Sequence, residues 1–199
     1  LQAGGTPVEF GVIAACDGIA SGHEGMRYIL PSRELICASV ETMVQAHRLD
    51  GVVLLGSCDK AVPAMLMAAA RLDVPAIMFV GGPAEGGCEF DGRPADTTSI
   101  SEALGMLKAG SIDQERYDRL EDTVMPTCGS CSFLGTANSM SCMAEAMGLS
   151  LPGTAVIPSH HAERLRAAQA SGRRIVEMVE DNLTARRIIN RHGMENAIR

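Results

Sequence analysis

Three short apolar runs, residues 8–15, 52–55 and 76–80, constrain this chain more than any other feature. Each is of strand length, none alternates cleanly between apolar and polar residues, and each ends in a loop containing Gly, Cys or Asp. A strand that is apolar along its whole length has both faces covered, which is the condition of parallel strands packed between helices. Between and beyond these runs the spacing turns helical. Ser32 is the expected cap of a helix carrying Leu35, Ile36, Val40, Met43 and Val44 on one stripe and ending near Asp50-Gly51. A second helix is expected over 63–72. Further helical patterns cover 101–108, 114–125, 132–147, 161–171, 173–182 and 184–191, whereas 84–100 is rich in Gly and Asp and reads as an exposed connection. The expected fold class is α/β: a mainly parallel sheet flanked by helices on both faces, with a predominantly helical second half.

Composition narrows the function. The 199 residues are 46% hydrophobic, a balance that suits one globular domain. No apolar run approaches the roughly 18 residues of a spanning helix, and the opening Leu-Gln-Ala-Gly-Gly lacks a basic and an apolar leader region. The balance of 24 acidic against 17 basic residues gives a net charge of −7, and only four Phe and two Tyr are present to stack on bases. Neither a membrane nor a nucleic acid is therefore an expected partner. Seven cysteines are many for such a chain, and odd in number.

In open parallel sheets ligands bind at the carboxyl ends of strands. Cys16-Asp17-Gly18, Ser57-Cys58-Asp59-Lys60 and Gly81-Gly82-Pro83 each follow an apolar run, so these loops should converge on one edge. Cys58, Asp59 and Lys60 place a soft thiolate, a hard carboxylate and an amine on one turn. Thiolates favour iron-sulfur clusters or zinc and carboxylates favour magnesium, so the mixture suits two different metals better than one. A buried Cys followed by a solvated Asp and Lys is the plainer alternative. Cys128-Gly129-Ser130-Cys131 is a CxxC at the expected start of a helix, where the dipole favours thiolate. It lacks the second CxxC of a zinc ribbon, and two packing cysteines or a redox pair remain open. Asp17-Gly18 suits either a cation site or a plain turn. His23 reads as a hydrogen-bonding loop residue, His160-His161 as a helix cap region without chemistry, and Met65, Met67 and Met78 as core filler. No dinucleotide fingerprint, phosphate-binding loop or nucleophile elbow is present.

Taken together, the stretch from Cys16-Asp17-Gly18-Ile19-Ala20 through Gly22-His23-Glu24-Gly25-Met26, then Leu30-Pro31-Ser32-Arg33-Glu34, Ser57-Cys58-Asp59-Lys60, Cys128-Gly129-Ser130-Cys131, Gly135-Thr136-Ala137-Asn138-Ser139 and Gly148-Leu149-Ser150-Leu151-Pro152-Gly153 resemble the dihydroxy-acid and phosphogluconate dehydratase family. The order and intervals fit along essentially the whole chain. The resemblance implies a hydro-lyase with an iron-sulfur cluster, of the two-iron or four-iron type, beside a magnesium ion. It makes Cys58 and Cys131 cluster ligands and Asp17, Asp59 and Lys60 magnesium ligands. Lys60 would act as a carbamate, which turns a cation into an anionic oxygen donor, and Cys128 matches a position that is not a ligand.

The implied reaction removes water from a small dihydroxy acid to give a keto acid. A cytoplasmic homodimer in branched-chain amino-acid biosynthesis is the expected setting, with sugar-acid or phosphogluconate dehydration as the alternative. A stand-alone thiol or metal module is a third reading. Ala64, Ser21 and Phe133-Leu134 depart from the usual family residues without removing a ligand, while Ile157-Pro158 and Ile175-Val176-Glu177 lean toward the dihydroxy-acid branch. Family members are about three times this length. Residues 1–199 are therefore expected to be a single N-terminal domain without an upstream segment and a C-terminal domain, with the proton-abstracting base outside the chain and no turnover alone.

Overall fold

The computed structural model describes residues 1–199 and has an α/β architecture. Its centre is a parallel pair, β1 (Val52–Gly56) and β2 (Ala76–Val80), with Val52 opposite Ala76 and Gly56 opposite Val80. The crossover between them is α3 (Ala61–Leu72), and α2 (Ile29–Ala46) lies against it. Val52, Leu54, Ala76, Met78 and Val80 face this helical layer, where Ile36, Val40, Val44 and Val62 are fully enclosed. Each such side chain contributes about 1.5–3 kcal/mol by leaving water.

The other sheet face is only half covered. At β2 it meets α7 (Ala162–Glu180), whose Arg164 guanidinium stacks over the Phe79 ring at 5.6 Å. Helix α7 also reaches β1, where Val53 and Leu55 stay 43% and 60% exposed, so the sheet has helices on both faces as expected, with the α7 side the thinner cover.

Residues 8–15 do not form the third strand. Phe10 and Val12 pack on the core while Val8 and Ile13 face solvent, and the segment makes no backbone-to-backbone hydrogen bond. Apolarity reported contact with the core, but a strand also needs a neighbour for its N–H and C=O groups, and β1 and β2 pair only with each other.

Several element ends also move. Helix α2 begins at Ile29, with Pro31 tolerated in its first turn, and the buried Ser32 donates to the Ile29 carbonyl at 2.6 Å rather than capping. Gly172 does not break α7. An interior Gly costs only about 1 kcal/mol against Ala, less than packing supplies over the surrounding turns.

Residues 84–100 are not a plain connection. They carry a short hairpin of β3 (Glu89–Phe90) and β4 (Arg93–Pro94). Phe90 and Ala95 join a second small core with Ala103 of α4 (Thr97–Lys108) and Leu120 of α5 (Gln114–Thr123). Asp96 caps α4 through a reciprocal box with Ser99. The chain closes with α6 (Thr136–Ala146), α7, α8 (Ala185–Ile188) and α9 (Arg191–Ile198).

Candidate metal centre

The carboxyl ends of β1 and β2 are drawn together by backbone. Gly81 N–H donates to the Gly56 carbonyl at 3.1 Å, and a Cβ on Gly81 would crowd Ser57 Oγ, so glycine lets the two loops touch without displacing that hydroxyl. From there Ser57-Cys58-Asp59-Lys60 leads directly into α3, whose first N–H groups, of Ala61 and Val62, donate to the Cys58 carbonyl at 3.1 and 3.2 Å. The short helix α1 (Asp17–Ala20) brings Asp17 to the same place.

Three of the expected magnesium ligands therefore meet. Lys60 Nζ lies 3.8 Å from an Asp17 oxygen and 3.8 Å from an Asp59 oxygen. The two carboxyl groups are hydrogen-bonded to each other, and their titrations split accordingly. The hydrogen bond from Asp59 holds Asp17 below the ordinary carboxylate value, with Lys60 assisting against burial. Burial, together with the Asp17 charge, pushes Asp59 up. The Thr136 hydroxyl at the start of α6 lies on the Asp59 side and opposes that rise.

Cys58 adjoins this cluster. Its thiol is pushed up to about 11, chiefly by burial and further by the neighbouring Cys16. Cys16 Sγ, Cys58 Sγ and an Asp17 oxygen all lie within 4.8 Å of one another. Cys16 had no assigned role from the sequence. The signal was its place directly before Asp17 on a loop aimed at the strand ends, and nothing in the spacing told it from a packing cysteine.

Cys131 lies on a segment that is not helical: α6 starts five residues later, so the CxxC is not at a helix N-terminus as expected. The segment is instead bound to the loop after β2. Ser130 N–H donates to Gly82 O at 3.0 Å, and Ala84 N–H donates to Ser130 O at 2.8 Å. Gly129, at φ +144°, permits this approach, since a Cβ there would meet Ala84 N at 2.3 Å. The buried Asn138 fixes the rest. Its amide donates to the carbonyls of Cys131 and Phe133 at 2.8 and 2.7 Å and accepts from Ser130 Oγ at 2.8 Å. These bonds satisfy groups that a helix would otherwise use, which explains the late start of α6. Cys58 and Cys131 are both half-buried free thiols, each on a loop at the strand ends.

The remaining candidates follow the plainer readings. His23 accepts from Gly25 N–H at 3.0 Å and bonds to Ile19 O at 2.9 Å, acting as a loop hub. Met65 and Met78 are core residues.

A hard-oxygen cluster next to soft thiols, at the ends of parallel strands, is the arrangement the recurring motifs pointed to. The family model described as dihydroxy-acid/6-phosphogluconate dehydratase N-terminal matches residues 1–199. The chain belongs to the dihydroxy-acid/6-phosphogluconate dehydratase family. Among similar members, a dihydroxy-acid dehydratase of Caldanaerobacter subterraneus is 53% identical over 98% of this chain and 35% of its own length. One of Halothermothrix orenii is 51% identical over 99% of this chain and 36% of its own length. A third, from Clostridium pasteurianum, is 50% identical over 99% of this chain and 68% of its length. The chain thus spans about a third of the first two relatives. No helix in it is long and apolar enough to cross a membrane.

The set of Asp17, Asp59 and Lys60 suits a hard cation, and the adjoining Cys16 and Cys58 thiols suit a softer metal. Two carboxyls with one ammonium 3.8 Å from each form a site whose mutual repulsion one hard cation would relieve. The half-buried thiol of Cys58, pushed up to about 11, stays neutral on its own, and a metal would draw it to thiolate.

Proposed function

We propose that this chain provides the metal-holding part of a dehydratase that converts a 2,3-dihydroxy carboxylic acid into a 2-keto acid. The observation that carries the reading is the meeting of Asp17, Asp59 and Lys60 beside Cys58 at the strand ends. The relatives at about 50% identity bear the name dihydroxy-acid dehydratase, which favours the branched-chain dihydroxy acids over sugar acids as substrates.

In this reading Asp17, Asp59 and a carboxylated Lys60 hold magnesium, and Cys58 and Cys131 hold an iron-sulfur cluster. When bound, the two supply Lewis acidity at the substrate carboxylate with its α-hydroxyl and at the departing β-hydroxyl. The residues have tasks of their own. Carboxylation of Lys60 by carbon dioxide takes two protons from its ammonium and makes it an anionic carbamate, so with the Asp17 and Asp59 carboxylates the cluster of side chains becomes strongly anionic. Thr136, beside Asp59 at the start of α6, favours its carboxylate form. Asn138 and Gly129 keep the Cys131 carbonyl and thiol in place without touching substrate. Removal of the α-proton and the β-hydroxyl releases one water and leaves an enol that becomes the keto acid. The base for that proton comes from a part of the enzyme outside residues 1–199, so the chain by itself does not turn over. The working enzyme is read as a cytoplasmic homodimer of branched-chain amino-acid biosynthesis.

The test is anaerobic turnover of 2,3-dihydroxy-isovalerate by the full-length enzyme, scored as keto acid formed, with iron, sulfide and magnesium content measured in parallel. Cys58→Ser and Cys131→Ser should lose cluster iron and activity, and Asp59→Asn should lose activity with cluster iron retained. Wild-type turnover in Cys131→Ser would overturn the cluster assignment.

A further inference from the structure

A second group of ligand-type side chains stands apart from the strand-end cluster. Glu85, on the loop after β2, and His160 and His161, at the start of α7, come together across 75 residues of chain. The Nε2 atoms of His160 and His161 lie 3.6 and 3.3 Å from the same Glu85 oxygen. One ligand atom from each residue falls within 4.8 Å of the other two.

The distances are those of a polyhedron around a metal rather than of hydrogen bonds. Both exceed the 2.7–3.2 Å of an N–H···O bond. Two ligands about 2.0–2.1 Å from a tetrahedral zinc stand about 3.3–3.4 Å apart. The rings are edge to face with centroids 4.7 Å apart, so both imidazoles turn a ring nitrogen toward one carboxylate oxygen. A single divalent ion serves both lone pairs and the carboxylate at once.

The framework holding the three residues is built from backbone. Ser159 N–H donates to Pro83 O at 3.0 Å, and Ser159 Oγ donates to Cys128 O. Glu85 N–H donates to Thr127 Oγ1 at 2.9 Å. His161 occupies the cap position of α7 with no side-chain capping bond, so its imidazole is free of the role the sequence gave it. The helix N-terminus opposes a cation, and the carboxylates of Glu85 and of Glu163 in the first turn answer it with negative charge.

We propose that Glu85, His160 and His161 form a surface site for a divalent cation of the zinc type, with at least one position open to water or another ligand. Two imidazoles exclude magnesium and calcium as the preferred occupants, because those ions take oxygen ligands. The site would clamp the loop after β2 to the start of α7. It does not depend on the proposed dehydratase chemistry.

The test is cobalt(II) titration of the chain near neutral pH, followed by visible absorption, with zinc added afterwards in competition. The expected result is one cobalt, beyond any taken up at the strand-end cluster of Asp17, Asp59 and Cys58, that binds without adding a thiolate-to-cobalt charge-transfer band and is displaced by zinc. His160→Ala, His161→Ala and Glu85→Gln should each weaken binding by about tenfold or more, and Cys128→Ser should leave it unchanged. Because the three side chains are partly exposed, folding is checked independently: zinc should raise the melting temperature of the wild type and not of His161→Ala. Binding within about twofold of wild type in all three variants, or cobalt bound only with the thiolate band, would overturn the proposal.

Discussion

Asn138 offers the sharpest test of how the Cys131 loop is held. Its side chain is 5% exposed and makes three hydrogen bonds, two donated to the carbonyls of Cys131 and Phe133 and one accepted from Ser130. Asn138→Asp keeps the volume and the acceptor toward Ser130 but replaces the amide by an oxygen facing two carbonyls. Each lost bond is worth about 0.5–1.5 kcal/mol net, and each carbonyl left unpaired adds to that. A loss of about 2–4 kcal/mol follows, and at a urea slope of about 2 kcal/mol per molar the unfolding midpoint drops by roughly 1–2 M. The local effect is more specific. Weakening the closed loop by about 2 kcal/mol raises the population of its open form about 30-fold, since about 1.4 kcal/mol is a factor of ten. Alkylation of Cys131, followed by peptide mass spectrometry, should speed up by that order, while alkylation of Cys37, enclosed in the other part of the core, should track only global stability. Alkylation of Cys131 within about threefold of wild type, with an unchanged midpoint, would refute the assignment of Asn138 as the anchor.

Other expectations follow from the same contacts. Arg164 is 5% exposed and donates to the carbonyls of Val80, Thr154 and Ile157, so Arg164→Met should cost about 3–5 kcal/mol in urea unfolding; a loss under about 1 kcal/mol would contradict this. Asp96 is held below the ordinary carboxylate value by the Thr98 hydroxyl and N–H, so Asp96→Ala should cost about 1 kcal/mol near neutral pH. That stability is present above the unfolded value of about 3.9 and lost as pH falls through the lower folded value. The difference between variant and wild type should therefore shrink in acid, and a constant difference would count against the cap. Asp59, pushed up by burial and by Asp17, must release its proton to take a cation, so magnesium affinity should rise with pH through the weakly acidic range above 3.8. Calorimetry in buffers of different ionisation heats should register the released proton, and buffer-independent heats would exclude it.

Much of the architecture was legible because it rests on local pattern. The runs at 52–55 and 76–80 become β1 and β2, and the helix expected over 63–72 becomes their crossover α3. Once two parallel neighbours are fixed, their carboxyl-end loops have to adjoin, which brings Ser57-Cys58-Asp59-Lys60 beside Gly81-Gly82-Pro83; Asp17 arrives there on α1, although the run before it is not a strand. Residues 8–15 show the limit: Phe10 and Val12 are apolar because they touch the core, and touching a core does not require a ladder. The late start of α6 was hidden for a related reason. Residues 132–135 carry no helix-breaking signal strong enough to outweigh the pattern, and the bonds from Asn138 that hold them open depend on where Ser130 is bound to Gly82, a contact 48 residues apart.

The same distinction separates the two groups of ligand-type residues. Asp59 and Lys60 are neighbours on one turn, and the place of Asp17 after an apolar run predicts it beside them, although that run packs on the core without forming a strand. Glu85 meets His160 and His161 only because Ser159 is bound to Pro83 and Cys128, so no periodicity or motif announces the meeting. A local reading of His160-His161 was bound to return a helix cap, since position before an amphipathic run is all the sequence displays there. The missing capping bond at His161 shows the imidazole turned away from the backbone and toward a carboxylate supplied by another loop. Function read from sequence is thus weighted toward sites whose members lie close in chain or follow a topological rule. Clusters assembled by loop-to-loop hydrogen bonds escape it, however strong their chemistry.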